Sequence, residues 1–319
     1  DFDTPDNVKD AAIKAIKDGD TKYTAVDGTP ALKKAISEKF KRENNINYNT
    51  DEITVGVGGK HVIYNLMMAT LNKDDEVIIP APYWVSYPDM VLLAGGVPVP
   101  VQTLPENAYK LTADQLRNAI TDKTKWFIFN SPSNPTGAGY SRDELKALTD
   151  VLLEHPHVWV LTDDMYEHLA YDDFKFVTPA QVEPKLYYRT LTCNGVSKAY
   201  AMTGFRIGYA CAPQNLLDAM LRIHQYSMLC AGITSQEAAT EALLHGDQVV
   251  REMREAYKLR RNFIVKAFND IGLHCHLPRG SFYAFPSIES TGLDARSFAI
   301  RLLEETQVAC VPGTAFGEG

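Results

Sequence analysis

The chain has 319 residues, 45% of them hydrophobic, enough for a large core and more than one lobe. Its net charge of −8, without a long basic run or an apolar stretch of membrane-spanning length, argues against nucleic-acid and membrane partners. Five scattered cysteines with no Cys-x-x-Cys pair argue against a disulfide framework and structural zinc, and together with an acidic start unlike a signal peptide they set the expectation of a soluble, cytoplasmic protein.

Residues 6–18 read as an amphipathic helix with Val8, Ala12, Ile13 and Ile16 on one face. Thr29-Pro30 opens a second helix through Phe40, with proline at an early position where its missing N–H costs nothing. A short strand over 53–57 runs into Gly58-Gly59, and a helix follows over 60–71. Strand-length runs then recur at 77–79, 97–101, 126–130, 158–161 and 191–193, and 207–210 adds one more. Helical material separates them, as parallel βαβ units require, and this alternation predicts an α/β fold. One long helix is predicted over 248–268, with a lobe boundary near its start. Strands over 280–285 and 308–311 then belong to a second, smaller lobe.

Five stretches carry chemistry. Gly56-Val57-Gly58-Gly59-Lys60 ends a strand in glycines and opens a helix, which offers backbone N–H groups to an anion; a plain tight turn explains it equally well. Ala81-Pro82-Tyr83-Trp84-Val85-Ser86-Tyr87-Pro88 presents Trp84 after a strand, either to stack on a flat ring or to fill a core. Asn130 to Gly137 spells a rigid Asn134-Pro135-Thr136-Gly137 turn after a strand. In Thr162-Asp163-Asp164-Met165-Tyr166-Glu167-His168, Asp163 stands at the carboxyl end of a strand, where open α/β sheets bind ligands. A helix N-cap is the plainer reading of Asp163.

The fifth stretch, Asn194 to Tyr209, puts Lys198 just after a buried strand, with Ser197 beside it and Arg206 eight residues on. Burial penalises the charged form of a lysine, and an amine with a lowered pKa is suited to form an imine with a carbonyl cofactor. A surface lysine in a loop is the alternative.

Together these blocks resemble fold-type I, pyridoxal-phosphate-dependent class I aminotransferases. The likeness is strongest to the bacterial aspartate aminotransferase branch, through Trp84-Val85-Ser86-Tyr87-Pro88, Ser131 to Gly137 and Asp163 to His168. The resemblance implies a mostly parallel central sheet flanked by helices, with a large cofactor domain over 1–250 and a partial, smaller α+β domain over 251–319. It implies pyridoxal 5′-phosphate (PLP) held covalently by Lys198. Arg206, Ser197, Gly58, Gly59 and Lys60 then hold the phosphate, Trp84 stacks on the ring, Asp163 meets the pyridine nitrogen, and Asn134 and Tyr166 meet the phenolic oxygen. Trp84 and Asn134 also face substrate. Lys22-Tyr23-Thr24-Ala25-Val26-Asp27-Gly28 resembles a segment whose tyrosine serves the neighbouring subunit, so Tyr23 acting in trans implies a homodimer.

The implied reaction is ping-pong transfer of an amino group between an L-amino acid (aspartate, or an aromatic or prephenate-linked one) and 2-oxoglutarate. Phe205 replaces the family's usual tryptophan, and residues 224–230 look like neighbouring branches. No arginine matches the family's late carboxylate-gripping one, which sets the expectation that these 319 residues bind cofactor but transaminate poorly. The competing readings are another PLP enzyme on this scaffold (an acetyl-diaminopimelate aminotransferase or a carbon–sulfur lyase), a PLP-binding sensor without turnover, and a nucleotide-binding α/β protein. The last lacks a Gly-Lys-Ser/Thr ending. His61, His168, His224, His274 and His276 show no metal-ligand spacing and read as structural.

Overall fold

A computed structural model describes residues 2–317. Its strands are β1 (Ile53–Gly56), β2 (Glu76–Ala81), β3 (Val97–Gln102), β4 (Thr124–Asn130), β5 (Trp159–Asp163), β6 (Thr190–Gly195) and β7 (Gly208–Cys211). Among the described residues the helices are α1 (Asp6–Asp18), α2 (Pro30–Asn44), α3 (Gly59–Thr70), α4 (Ser86–Leu93), α5 (Ala113–Ala119), α6 (Arg142–Glu154), α7 (Pro179–Val182), α8 (Gln214–Ser227), α9 (Ile233–His245), α10 (Asp247–Asp270) and α11 (Ala295–Thr306).

One sheet of order β1-β7-β6-β5-β4-β2-β3 organises the molecule. β4 and β5 carry unbroken apolar runs (Trp126 to Phe129 and Trp159 to Leu161), and β6 is buried along its whole length, because helices cover both faces of the sheet. Two apolar layers result, one around Val62, Leu66, Trp126 and Leu161, the other around Phe127, Phe129, Leu148 and Val160. The sheet is mostly parallel, as expected: β2 to β6 pair in parallel. β7 is the exception that orders the site: it follows β6 directly, without a crossover helix, and lies antiparallel to β6 and β1. That reversal brings the start of β7 to the carboxyl ends of the parallel strands.

The helix boundaries follow local chemistry. Thr29 caps α2 by accepting from the Leu32 N–H at 3.3 Å, with Pro30 in the first turn. Ser141 and Glu144 close a reciprocal capping box on α6.

Two expectations about apolar faces and late strands fail. α1 forms as predicted but packs on α9 through Val8, Ala12 and Ala15, one stripe over, leaving Ile13 and Ile16 exposed. The strands predicted at 280–285 and 308–311 do not form. Ser281-Phe282-Tyr283-Ala284-Phe285 is rich in aromatic residues that favour strands, but it meets no neighbouring strand, and pairing is confined to an isolated bridge between Ala170 and Gly280. No helix is long and apolar enough to cross a membrane among the described residues.

Candidate active site

The strand register assembles the site. Asn130 on β4 stands opposite Asp163 on β5, and Asp163 stands opposite Cys193 on β6. The β6 chain ends at Gly195 and enters the loop carrying Ser197 and Lys198; it returns through Arg206 to Gly208, which pairs with both Gly195 and Gly56. The turn 57–59 after β1 therefore lies beside Arg206. A Cβ on Gly58, where φ is +83°, would fall 2.5 Å from Arg206 Nη2, so glycine leaves the space that the guanidinium fills.

That turn is braced by a residue the sequence reading treats as structural. The Val57 N–H donates to His61 Nδ1 at 3.1 Å, one turn into α3, and the His61 ring meets the His224 ring edge-on at 4.7 Å. The Lys60 side chain lies over the Trp84 ring, its Nζ 5.1 Å from the centroid.

Asp163 is buried and is the last residue of β5; a turn, not a helix, follows it, so the N-cap reading fails. Its Oδ2 accepts from the Tyr87 hydroxyl at 2.7 Å and its Oδ1 from the Met165 N–H at 3.3 Å. Burial raises its carboxyl above the ordinary range, against those bonds and the charge of Lys198. Asn130 ties two neighbours together, donating to the Asp163 carbonyl and accepting from the Asn134 N–H, both at 2.8 Å. Asn134 also reaches the Tyr166 hydroxyl, which lies 2.7 Å from the hydroxyl of Tyr283.

Lys198 is half-buried, with its Nζ 5.5 Å from the centre of the Phe282 ring. Burial lowers the pKa of its ammonium, the positive charge of Arg206 lowers it further, and the Asp163 carboxylate opposes both. Lys198, Asp163, Arg206, Tyr166 and Asn134 thus come together at one edge of the sheet, with Ser197 buried in the same loop. Tyr23 does not join them: it is 85% exposed, in a segment fixed by Gln236, which donates to Thr24 and accepts from the Thr29 N–H.

Sequence reasoning misses Tyr87, Asn130, Phe282 and Tyr283. The first two lie inside the quoted blocks and differ from their neighbours only in contacts made across the sheet. The last two lie far along the chain, where no local signal pairs them with Tyr166.

Beneath the site is a buried ionic cluster. The fully buried Lys39 ammonium pairs with Glu167, lies 3.5 Å from Glu43 and donates to Asn44 at 2.9 Å. Asn44 and Asn194 donate to the two Glu167 oxygens at 3.2 and 2.7 Å. Glu43, Glu167 and His168 could by spacing hold a metal, but the cation between the two carboxylates is Lys39's own.

Asp164 points the other way from Asp163, accepting from the Thr162 hydroxyl at 2.5 Å. Burial, with the Glu167 charge adding, raises its pKa from 3.8 to about 8. A carboxyl that keeps its proton only when folded adds stability in full below pH 3.8 and loses it as pH rises towards about 8. Asp164→Asn does not titrate and keeps the acceptor, so its melting temperature should exceed wild type by a margin that widens between pH 4 and 8. A constant margin would place the proton elsewhere.

A doubly covered sheet with an amine, an acid and an arginine-lined turn at its carboxyl edge defines an α/β enzyme built for group transfer. Comparison with known proteins makes the class specific. The family described as aminotransferase class I and II matches residues 1–318. An aspartate/prephenate aminotransferase of Cereibacter sphaeroides is 58% identical over 99% of this chain and 82% of its own length. An aspartate aminotransferase of Rhizobium meliloti is 51% identical over 99% of this chain and 80% of its own. Among solved structures, the aspartate aminotransferase from Rhizobium meliloti superimposes with a TM-score of 0.96 at 50% identity, covering all of this chain and 82% of that one. An aromatic aminotransferase from Pyrococcus horikoshii gives 0.97 at 40%, covering 100% and 86%. The chain belongs to the class I and II aminotransferase family and is a fold-type I aminotransferase.

Proposed function

We propose that the cluster around Lys198 holds pyridoxal 5′-phosphate and that the enzyme takes its amino group from aspartate, passing it to 2-oxoglutarate. The observation that carries this is the placement of Lys198: a half-buried amine with a lowered pKa, between a buried carboxylate and an arginine-lined turn. The residues present fit the group. The missing Cβ at Gly58 lets the Arg206 guanidinium lie against the turn that opens α3, setting a cation beside backbone at a helix start, and the Asp163 carboxylate is buried, where a ring cation would offset its desolvation.

When bound, the cofactor supplies an aldehyde that accepts amino groups and a ring that withdraws electrons. The chain's residues do the rest. Lys198 Nζ, as the neutral amine, would bond to the aldehyde carbon with loss of water, and as a free amine would take up the proton leaving the substrate α-carbon. Asp163 keeps the pyridine nitrogen protonated, its own orientation fixed by Tyr87 and the Met165 N–H. Asn134 and Tyr166 donate to the phenolic oxygen, and Trp84 covers the ring and meets substrate. Arg206, Ser197 and the backbone of Gly58, Gly59 and Lys60 grip the phosphate.

The exposed Tyr23 supports a homodimer in which it completes the partner's phosphate site. A division into a large domain over 1–250 and a smaller one over 251–319 accords with α10, which starts at Asp247, after the last strand of the sheet among the described residues. Five free cysteines, three of them buried, suit a reducing cytoplasm.

The names of the relatives favour aspartate, with prephenate or aromatic substrates as the second reading. The test is a single half-reaction: cofactor-loaded protein mixed with stoichiometric amino acids, followed by the loss of its visible absorbance. Aspartate is expected to react fastest, with aromatic amino acids next. A response to cysteine conjugates alone would replace this reading with a lyase.

A further inference from the structure

The Tyr166–Tyr283 hydroxyl pair joins the strand-end loop of the large layer to a segment more than a hundred residues later, and nothing in the roles above uses Tyr283. That segment is welded in place. The Arg279 and Gly280 N–H groups both donate to the Gly137 carbonyl, at 2.8 and 3.2 Å. The Tyr171 N–H donates to Arg279 and the Ser281 N–H to Leu169, at 2.9 and 2.8 Å. A Cβ on Gly280 would fall 2.4 Å from Pro132, so only glycine permits this approach. From the other side Arg261, buried on α10, donates to the Pro278 carbonyl at 2.9 Å and pairs with Asp172 at 2.8 Å. Ser281, buried and at φ +60°, then turns the chain so that Phe282 and Tyr283 face Tyr166.

The proton inventory gives this pair a direction. A tyrosine hydroxyl has one proton to donate. On the proposed reading, Tyr166 gives its proton to the cofactor's phenolic oxygen, so the proton in the 2.7 Å contact must come from Tyr283. A hydroxyl that accepts a hydrogen bond is a stronger donor and is held in one rotamer. We propose that Tyr283 is a positioning residue for the transamination chemistry: by donating to Tyr166 it aims and strengthens the hydrogen bond that Tyr166 makes to the cofactor. This rests on the PLP reading above.

The test uses Tyr283→Phe, Tyr166→Phe and the double variant, each loaded with PLP. Tyr283→Phe keeps the ring that packs on Phe282 and loses only the hydroxyl. It is expected to melt as wild type does, to lower kcat about five- to tenfold with KM unchanged, and to move the pH midpoint of the bound cofactor's absorbance upward by roughly half a pH unit. In the Tyr166→Phe background the same substitution should change neither quantity further. Should Tyr283→Phe fail to fold, equal kcat and midpoint in Tyr166→Phe and wild type overturn the proposal. An unmoved midpoint in a folded Tyr283→Phe, or an equal effect with and without the Tyr166 hydroxyl, overturns it as well. Wild-type protein that takes up no PLP would instead refute the cofactor reading, so the two failures are distinguishable.

Discussion

Lys198→Ala should lower amino-group transfer by roughly a thousandfold or more, the scale expected when a positioned base is removed. It should also release the cofactor during gel filtration, since Arg206 and the turn 57–59 would hold the phosphate without a covalent anchor. The two losses have different causes. Retention falls because a bond is gone; turnover falls because no other group in the cluster can replace Nζ as the proton carrier. Asp163 is fixed by Tyr87 and the Met165 N–H, and Tyr166 is tied to Tyr283. Added methylamine should restore part of the rate by supplying an amine in the cavity. Retained turnover in Lys198→Ala would mean that the amine assigned here has no part in the chemistry.

The second large effect is on stability. Lys39 is wholly buried and Glu167 almost so, and each satisfies the other's charge. Lys39→Met leaves the Glu167 carboxylate with two amide donors and no adjacent lysine, a change expected to cost about 3–5 kcal/mol in urea unfolding. Glu167→Leu strands the ammonium, with Glu43 at 3.5 Å its remaining acidic partner, and should cost a similar amount. The double variant Lys39→Met/Glu167→Leu removes both charges and should recover most of the loss. If the double variant is as unstable as the sum of the singles, the pair is not the unit that holds α2 to the loop after β5.

Much of the site was legible because its residues stand at strand ends. Asp163 closes the apolar run of β5, Asn134 stands in the turn just past the run of β4, and an apolar run long enough to cross the sheet fixes where the polar residues that follow it must emerge. The lysine loop was legible for the same reason at β6. What could not be read depends on contacts between distant segments. Lys39 looks like one more charged residue on an amphipathic helix, and only the fold shows that α2 turns it inward onto Glu167. The antiparallel course of β7 was hidden because strand composition carries no direction. Ser281 to Phe285 misled in a different way: its aromatic residues favour a strand, yet strands need partners, and the chain here is held instead by bonds from Arg279 and Gly280 to Gly137 and from Ser281 to Leu169. Ile13 and Ile16 show the limit of periodicity, which finds a helix reliably but does not choose between adjacent apolar stripes.

Borohydride reduction of the protein with PLP, followed by proteolysis and peptide mass mapping, tests the central assignment most directly. One pyridoxyl-modified peptide is expected, carrying its label at Lys198, and that label should be lost in Lys198→Ala. A label on Lys60 or another lysine, or no label at all under conditions where PLP is bound, would contradict it.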